Sequence, residues 1–293
     1  MHVTALWLGC VGCINIPTES AVAFQMAGTG VAIRMLNKAQ GVGDRTRVRN
    51  RSKNTNDHGL PTNLPNWAWL WLPIAVLAVE LGFRMVNEPL YRQLWQSELG
   101  PVETGTVVVL LPGILAGIVA LRQVGRLPTG NTGRWLTGWL VLIILGSVYF
   151  GGEEASWGQH WVGWDTPDAM ASLNDQGETN LHNTSSWLDQ KPRLLLELGV
   201  LVGGLLYPLF LWLRRRERPS DPGDLHYWLW PSRQLLPTAL LAIGIGVPQR
   251  LEKIFGWPIP YPLDIRASET QEFYFALFLA LYLWSFQRRL NVR

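Results

Sequence analysis

The sequence predicts an all-α membrane protein, a polytopic bundle of about six transmembrane helices, and three observations support this fold class. The 293-residue chain is 48% hydrophobic but only 16% charged, whereas soluble domains carry about 25% charged residues. Apolar runs of membrane-crossing length recur from residue 67 onwards. The 16 Trp residues suit the headgroup layers, where Trp is enriched in membrane proteins. The runs do not alternate with period two, which argues against strands.

The first 66 residues differ in composition from the rest of the chain. Residues 1–36 are mildly apolar but broken by Gly, Pro and polar residues, and only His2 precedes the apolar stretch Ala5–Ile16. A secretory signal would need a basic segment there, so an upstream extension is the alternative to a cleaved signal. Residues 37–66 are polar and basic and cannot bury a core. We therefore expect residues 1–66 to form a disordered or poorly ordered basic extension, without a nucleic-acid partner.

Six apolar runs divide the second region, residues 67–293. A span needs roughly 20 mainly apolar residues. The third run is slightly short, and its helix has room to continue into Gly151–Trp161. Pro231, Arg233 and Pro237 interrupt the fifth run. The predicted spans are Trp67–Met85, Thr104–Leu121, Trp135–Phe150, Leu194–Leu213, Tyr227–Val247 and Thr270–Phe286.

The basic residues predict an orientation for these spans. If the chain crosses six times, 18 of the 25 Lys and Arg lie on the side of the two termini. The positive-inside rule places that side in the cytoplasm. The acidic residues have the opposite bias, with 16 of the 22 on or near the outer side. Asp and Glu contribute little to topology, so the outer carboxylates call for another explanation.

The outer loop, residues 151–193, contains the main candidate site. It is too long for a simple connection, and its Trp and Leu content predicts a partly helical cap. Ionisable residues at a bilayer boundary are costly unless they are solvated, paired or used. The candidate catalytic residues of this loop are Glu153, Glu154, Glu178 and His182, and the candidate substrate-binding residues are Trp157, Gln159, Gln176, Asn180 and Asn183.

Carboxylates from distant spans are predicted to support this loop at a similar depth. Glu80 would lie in the outer third of the first span, and the others open the fourth and sixth spans from outside. The supporting residues are Glu80, Glu197, Glu269 and Glu272. Three of them also have a simpler interpretation. Glu80 would pair with Arg84, and Glu197 with Arg193, at helical i,i+4 spacing. Glu269 would interact with the dipole of a helix that Ser268 caps.

Helical spacing refines the candidate site. Glu178 and His182 are i,i+4 and would share a helix face, where they could bind one divalent metal ion or one water. Glu153 and His160 are i,i+7 and lie about 10.5 Å apart along a helix, too far for joint ligation, so His160 is a weak metal ligand. Glu154 is rotated about 100° from Glu153. The two adjacent glutamates are therefore predicted to serve different roles.

The loop resembles a family of uncharacterised bacterial multi-pass inner-membrane proteins with an EExSWGQ…TP…NxQxExNLHN signature. The resemblance implies a bacterial inner-membrane protein but no activity. His160 departs from the family pattern, which has Arg at that position. The matching residues here are Glu153, Glu154, Ser156, Trp157, Gly158, Gln159, Thr166, Pro167, Asn174, Gln176, Glu178, Asn180, Leu181, His182 and Asn183.

Three functions remain open from the sequence. The first is a hydrolase or transferase acting on a lipid or lipid-linked saccharide, with or without a divalent metal. The second is a proton- or cation-coupled transporter, which would need ionisable residues to continue towards the cytoplasm. The third is a non-catalytic membrane assembly subunit. It predicts that the carboxylates pair with Arg84, Arg92, Arg193, Arg250 and Arg266 and leave no cavity.

Overall fold

The structure is a computed structural model that describes residues 64–95, 100–125, 131–173, 178–181, 184 and 186–291. The described residues are helical or irregular, with no strand among them. The predicted extension, residues 1–66, lies outside this part of the chain except for its last three residues.

The first half of the chain supplies three long helices and several short ones. The α1 helix, Trp67–Val86, begins with the π-helical segment Trp67–Trp71, and Pro73 stands near the start of its α-helical part, where proline is tolerated. The helices that follow are α2 (Glu88–Trp95), α3 (Pro101–Val124), α4 (Asn131–Glu154), α5 (Gln159–Val162) and α6 (Asp168–Ala171).

The second half begins with a long helix and ends with the most buried one. The α7 helix runs through three consecutive segments, Ser186–Val200, the π-helical Leu201–Leu206 and Tyr207–Leu213. The helices that follow are α8 (Leu225–Leu229), α9 (Leu236–Gly244), α10 (Val247–Phe255) and α11 (Ala267–Asn291).

Four helices are long and apolar enough to cross a membrane. Large side chains on their outer faces are exposed, including Leu115 at 63%, Leu142 at 60% and Leu195 at 73%. Such apolar faces match the hydrocarbon interior of a bilayer. The four ranges are Trp67–Val86, Pro101–Val124, Asn131–Glu154 and Gln190–Leu213.

The predicted fifth span is wrong as a single helix. Residues 227–247 instead form the end of α8, a 3₁₀ turn at Arg233–Leu235 and the nine-residue helix α9. Proline lacks the amide hydrogen that an α-helix needs in its interior. Pro231 accordingly falls between helices, and Pro237 stands in the first turn of α9.

The sixth predicted span lies within α11, which occupies the centre of the bundle. Most of its residues are buried, from Ala267 to Leu290. A helix that is buried on all sides packs against other helices rather than lipid. Gly113 of α3 shows how close that packing is, because a Cβ atom added there would lie 2.4 Å from the Cα atom of Ala280.

Contacts along α11 give the bundle two distinct ends. At one end, Gln123 donates a hydrogen bond to Asn291 (2.8 Å). Near the other, Arg193 of α7 pairs with Glu272. Helices α3 and α7 therefore run parallel to α11. We call the end where α4 finishes and α11 begins the carboxylate end, because it holds Glu103, Glu154, Glu269 and Glu272.

Candidate functional site

The α4 helix ends at the two adjacent glutamates. The side chain of Glu153 is buried and accepts hydrogen bonds from the described part of the loop beyond it. Trp157 donates its indole Nε1–H to Oε1 (2.7 Å), and the Leu181 amide donates to Oε2 (2.7 Å). Glu153 therefore ties the end of α4 to Leu181, which lies 28 positions further along the chain.

Glu178 and Asn180 continue this tie. The Ser156 hydroxyl donates to Glu178 Oε2 (2.8 Å), and the Asn180 amide donates to the same oxygen and to Ser156 Oγ (3.1 Å). Ser156 and Asn180 are both buried. These bonds are charge-assisted where they reach the carboxylate, and such bonds are stronger than neutral ones.

Gln159 joins the same two segments at a second point. Its Oε1 atom accepts from the Thr179 amide (2.6 Å), and its Nε2 atom donates to Thr166 Oγ1 (2.8 Å) and to the Trp164 carbonyl (3.1 Å). We call Glu153, Ser156, Gln159, Glu178 and Asn180 the loop clasp. The hydrogen bonds of the clasp tie residues 153–166 to residues 178–181.

The turn that starts the loop has an unusual backbone. Ser156 and Trp157 have φ angles of 42° and 55°, and Gly158 has a φ angle of 102°. Non-glycine residues in this region are strained and persist only where their surroundings enforce them. The clasp bonds provide that enforcement. The turn also ends α4 at Glu154, so the expected continuation of one helix to Trp161 does not occur.

Glu154 points away from the clasp, as the 100° helical rotation predicted. It is partly buried, and the charges that act on it are those of Glu272, Glu269 and Glu103, opposed by Arg193. These side chains come from α3, α4, α7 and α11. The predicted convergence of span carboxylates therefore occurs for Glu154, Glu269 and Glu272, at the carboxylate end of the bundle.

Arginines are the partners of many carboxylates near this end. Arg193 donates to Glu272 (2.6 Å) and Gln271 (3.1 Å), Arg266 pairs with Glu269 (3.3 Å), and Arg250 pairs with Glu197. The predicted Glu197–Arg193 pair is therefore wrong. Its two members bind residues of other helices instead, because the bundle offers each a closer partner than its own helix does.

A second ion-pair group surrounds Arg84 at the end of α1. Arg84 contacts Asp264 (2.6 Å) and Glu88 (3.3 Å), and Arg92 also pairs with Glu88 (2.7 Å). Hydrogen bonding from Arg92 and the nearby Arg84 charge lower the pKa of the Glu88 carboxyl. The predicted Glu80–Arg84 pair is wrong, since Glu80 accepts a hydrogen bond from Thr270 (2.7 Å).

Several candidate residues lie outside the described residues. These are Gln176, His182, Asn183 and the side chain of His160. Glu178–Leu181 is not helical, so the i,i+4 helix face expected for Glu178 and His182 does not begin there. Among the described residues, no group of three His, Cys, Asp or Glu side chains is arranged to hold a metal ion.

One member of the carboxylate end, Glu103, was missed from the sequence. It lies in the first turn of α3 and acts on Glu154. Its position at the start of a predicted span, like that of Glu269 and Glu272, could have identified it. Arg193, in α7, also acts on Glu154, although it was expected to pair with Glu197.

The aromatic residues of the loop are largely exposed. Trp157 is 47% exposed, Trp161 56% and Trp164 37%. The Trp157 ring also lies over the backbone of Gly152, where an added Cβ atom would approach it to 2.9 Å. Trp157 therefore contributes to the closure of the clasp as well as an accessible aromatic face.

Comparisons of the chain with protein-family models, with curated proteins and with solved structures find no match.

Proposed function

We propose that this chain is a six-pass protein of the bacterial inner membrane that hydrolyses a lipid or lipid-linked saccharide, or transfers a group from it, at the outer face. In this proposal both termini are cytoplasmic. The broken helices α8–α10 and the central helix α11 complete the two crossings beyond the four long apolar helices. The chemistry is metal-free acid–base catalysis, with Glu154 as the acting carboxylate.

The observation that carries the proposal is the setting of Glu154. Among the described residues, the carboxylates of Glu272, Glu269 and Glu103 act on it at the end of the bundle, opposed by the charge of Arg193. Glu272 and Glu269 each have an arginine partner. Carboxylates in unequal surroundings are the arrangement that general acid–base pairs use. Glu154 would exchange the proton, and a paired neighbour would stabilise developing positive charge.

The loop clasp then has a supporting role. Glu153, Glu178, Gln159 and Asn180 use their polar atoms to hold the loop beside Glu154. The exposed rings of Trp157, Trp161 and Trp164 would contact the saccharide or the headgroup layer. Gln176, His182 and Asn183 would complete substrate binding. In the metal-dependent alternative, Glu178 and His182 would bind a divalent ion.

The test uses protein in nanodiscs and a total bacterial lipid extract as the probe, with products followed by mass spectrometry. Glu154→Gln removes the exchangeable proton at nearly constant shape. We expect it to reduce lipid conversion at least 100-fold, as loss of a general acid–base group typically costs about 10²–10⁴-fold. Asp168→Asn is the matched control, because it removes an exposed carboxylate of the same loop, and it should retain conversion within about twofold.

Three results would contradict this proposal. Conversion by Glu154→Gln at the wild-type rate would exclude an acid–base role. Equal loss in the Asp168→Asn control would show that loop charge matters, not Glu154. The absence of any converted lipid with wild-type protein would leave no hydrolase or transferase activity to explain.

A non-catalytic assembly subunit is the second candidate, and the arginine pairs favour it. Arg84, Arg92, Arg193, Arg250 and Arg266 each pair with a carboxylate, as this interpretation predicts. Its second expectation, that no cavity remains, does not hold at Glu80, which lines one. It also predicts a stable partner in the membrane. Chemical cross-linking in native membranes should then recover the same second protein with wild-type and Glu154→Gln chains, whereas recovery of the chain alone would exclude this role.

A further inference from the structure

A cavity of 310 Å³ lies between α1, α2, α3 and the start of α11. Its walls are almost entirely apolar, and the polar side chains in its lining are a glutamate and a threonine, beside the indole of a tryptophan. The cavity is of the size that holds a small ligand. Its lining includes Val76, Val79, Glu80, Trp95, Thr270 and Phe273.

Glu80 is the unusual member of this lining. Its side chain is fully buried, and Oε1 accepts a hydrogen bond from Thr270 (2.7 Å). Its other oxygen, Oε2, is buried without a hydrogen bond to any described residue. The Tyr91 hydroxyl accepts a bond from the Arg266 amide and can turn its own hydrogen towards Glu80. It does not form a hydrogen bond of ordinary geometry to Oε2. A buried oxygen without a well-placed donor is costly, and a ligand hydroxyl or amino group in the cavity would supply one.

The mouth of the cavity opens on the apolar flank of the bundle. Val79 is 51% exposed, and Ala75 and Pro101 are exposed as well. These residues belong to two helices that are long and apolar enough to span a membrane. A molecule would therefore enter from the lipid phase between α1 and the start of α3, not from water.

We infer that this cavity binds the end of a membrane amphiphile, an apolar chain that carries a hydroxyl or amino group donating a hydrogen bond to Glu80. The apolar walls accommodate the chain, and the buried oxygen fixes its polar end. The site goes beyond the proposed function, because its lining includes none of the carboxylates around Glu154. Ligand binding at this site can therefore be tested separately from catalysis at Glu154.

The experiment is photo-cross-linking of the protein in nanodiscs with three diazirine probes of equal chain length, an alkanol, an alkylamine and an alkane. Labelled peptides are mapped by mass spectrometry. We expect the alkanol or the alkylamine to label peptides containing Val79, Trp95 or Phe273 at least 10-fold more than the alkane does. Unlabelled alkanol or alkylamine of the same length should compete with its labelled counterpart.

Two variants separate the polar and apolar contributions. Glu80→Leu should reduce alkanol and alkylamine labelling to the alkane level, because it removes the acceptor and keeps the walls. Val79→Trp should block labelling by all three probes, since it fills the mouth while Glu80 stays in place. The control is Val108→Trp, on an exposed face of α3 that does not line the cavity, and it should label as wild type does.

Several outcomes would overturn the inference. Equal labelling by the alkane and the polar probes would show that Glu80 selects no donor. Labelling that survives Val79→Trp would place the probes elsewhere. Labelling of none of these peptides in well-folded wild-type protein would mean that the cavity holds water only.

Discussion

Replacement of Glu153 by Gln tests whether the loop clasp is structural. The carboxylate accepts from Trp157 Nε1–H and from the Leu181 amide, each at 2.7 Å. A Gln side chain retains one acceptor oxygen, and its NH₂ group then faces the second donor. One charge-assisted bond is lost, and the NH₂ group is set against a backbone or indole N–H in a partly buried site, which costs about 2–3 kcal/mol.

Hydrogen–deuterium exchange at the Leu181 amide measures this cost directly. Because about 1.4 kcal/mol corresponds to a factor of ten, a loss of about 2–3 kcal/mol predicts exchange roughly 30- to 150-fold faster in Glu153→Gln. The measurement needs single-residue resolution in nanodiscs. Glu154→Gln is the matched control, since the adjacent residue points to the carboxylate end, and its effect on Leu181 should stay within about threefold.

Two results would refute the reasoning. Unchanged exchange at Leu181 in Glu153→Gln would show that the clasp does not protect the loop. Equal acceleration in Glu154→Gln would show that the two adjacent glutamates do not have separate roles.

Two further predictions concern packing and pH. A Cβ atom at Gly113 would lie 2.4 Å from the Cα atom of Ala280, so Gly113→Ala should lower the free energy of unfolding by about 1–3 kcal/mol. Gly146→Ala, where nothing lies within 4 Å, should not lower it, and equal thermal shifts would refute the close α3–α11 contact. Burial raises the pKa of Tyr91 to about 12, from 10.0, so folded protein keeps a proton that unfolded protein loses above pH 10. Stability should therefore fall from pH 10 towards pH 12, and less steeply in Tyr91→Phe; identical slopes in thermal unfolding would contradict this cause.

The sequence predicted the all-α class because low charge and apolar runs constrain any chain that crosses a bilayer. Four of the six runs coincide with helices of spanning length and apolarity. The fifth run fails as one helix at Pro231 and Pro237, where the backbone cannot continue its hydrogen bonds. The central α11 was predicted as a span, but its burial by neighbouring helices depends on contacts that no periodicity reveals.

The candidate site divides in the same way. Helical geometry correctly separated Glu153 from Glu154, and Glu269 and Glu272, which open the sixth predicted span, act on Glu154 in the structure. The helical spacing expected at Glu178 does not apply, because Glu178–Leu181 is not helical. Glu178 bonds instead to Ser156 and Asn180. Ion pairs between residues far apart in sequence, such as Arg84 with Asp264, depend on which helices are neighbours.

The central claim is that Glu154 is a reachable, working carboxylate on the face opposite the termini. Its most direct test is a single cysteine at position 154, after replacement of Cys10 and Cys13 by Ser, treated with a membrane-impermeant maleimide in sealed vesicles of known orientation. We expect Glu154→Cys to react only from the side opposite the termini and to lack lipid conversion before and after labelling. Reaction only from the side of the termini, or lipid conversion at the wild-type rate, would contradict the claim.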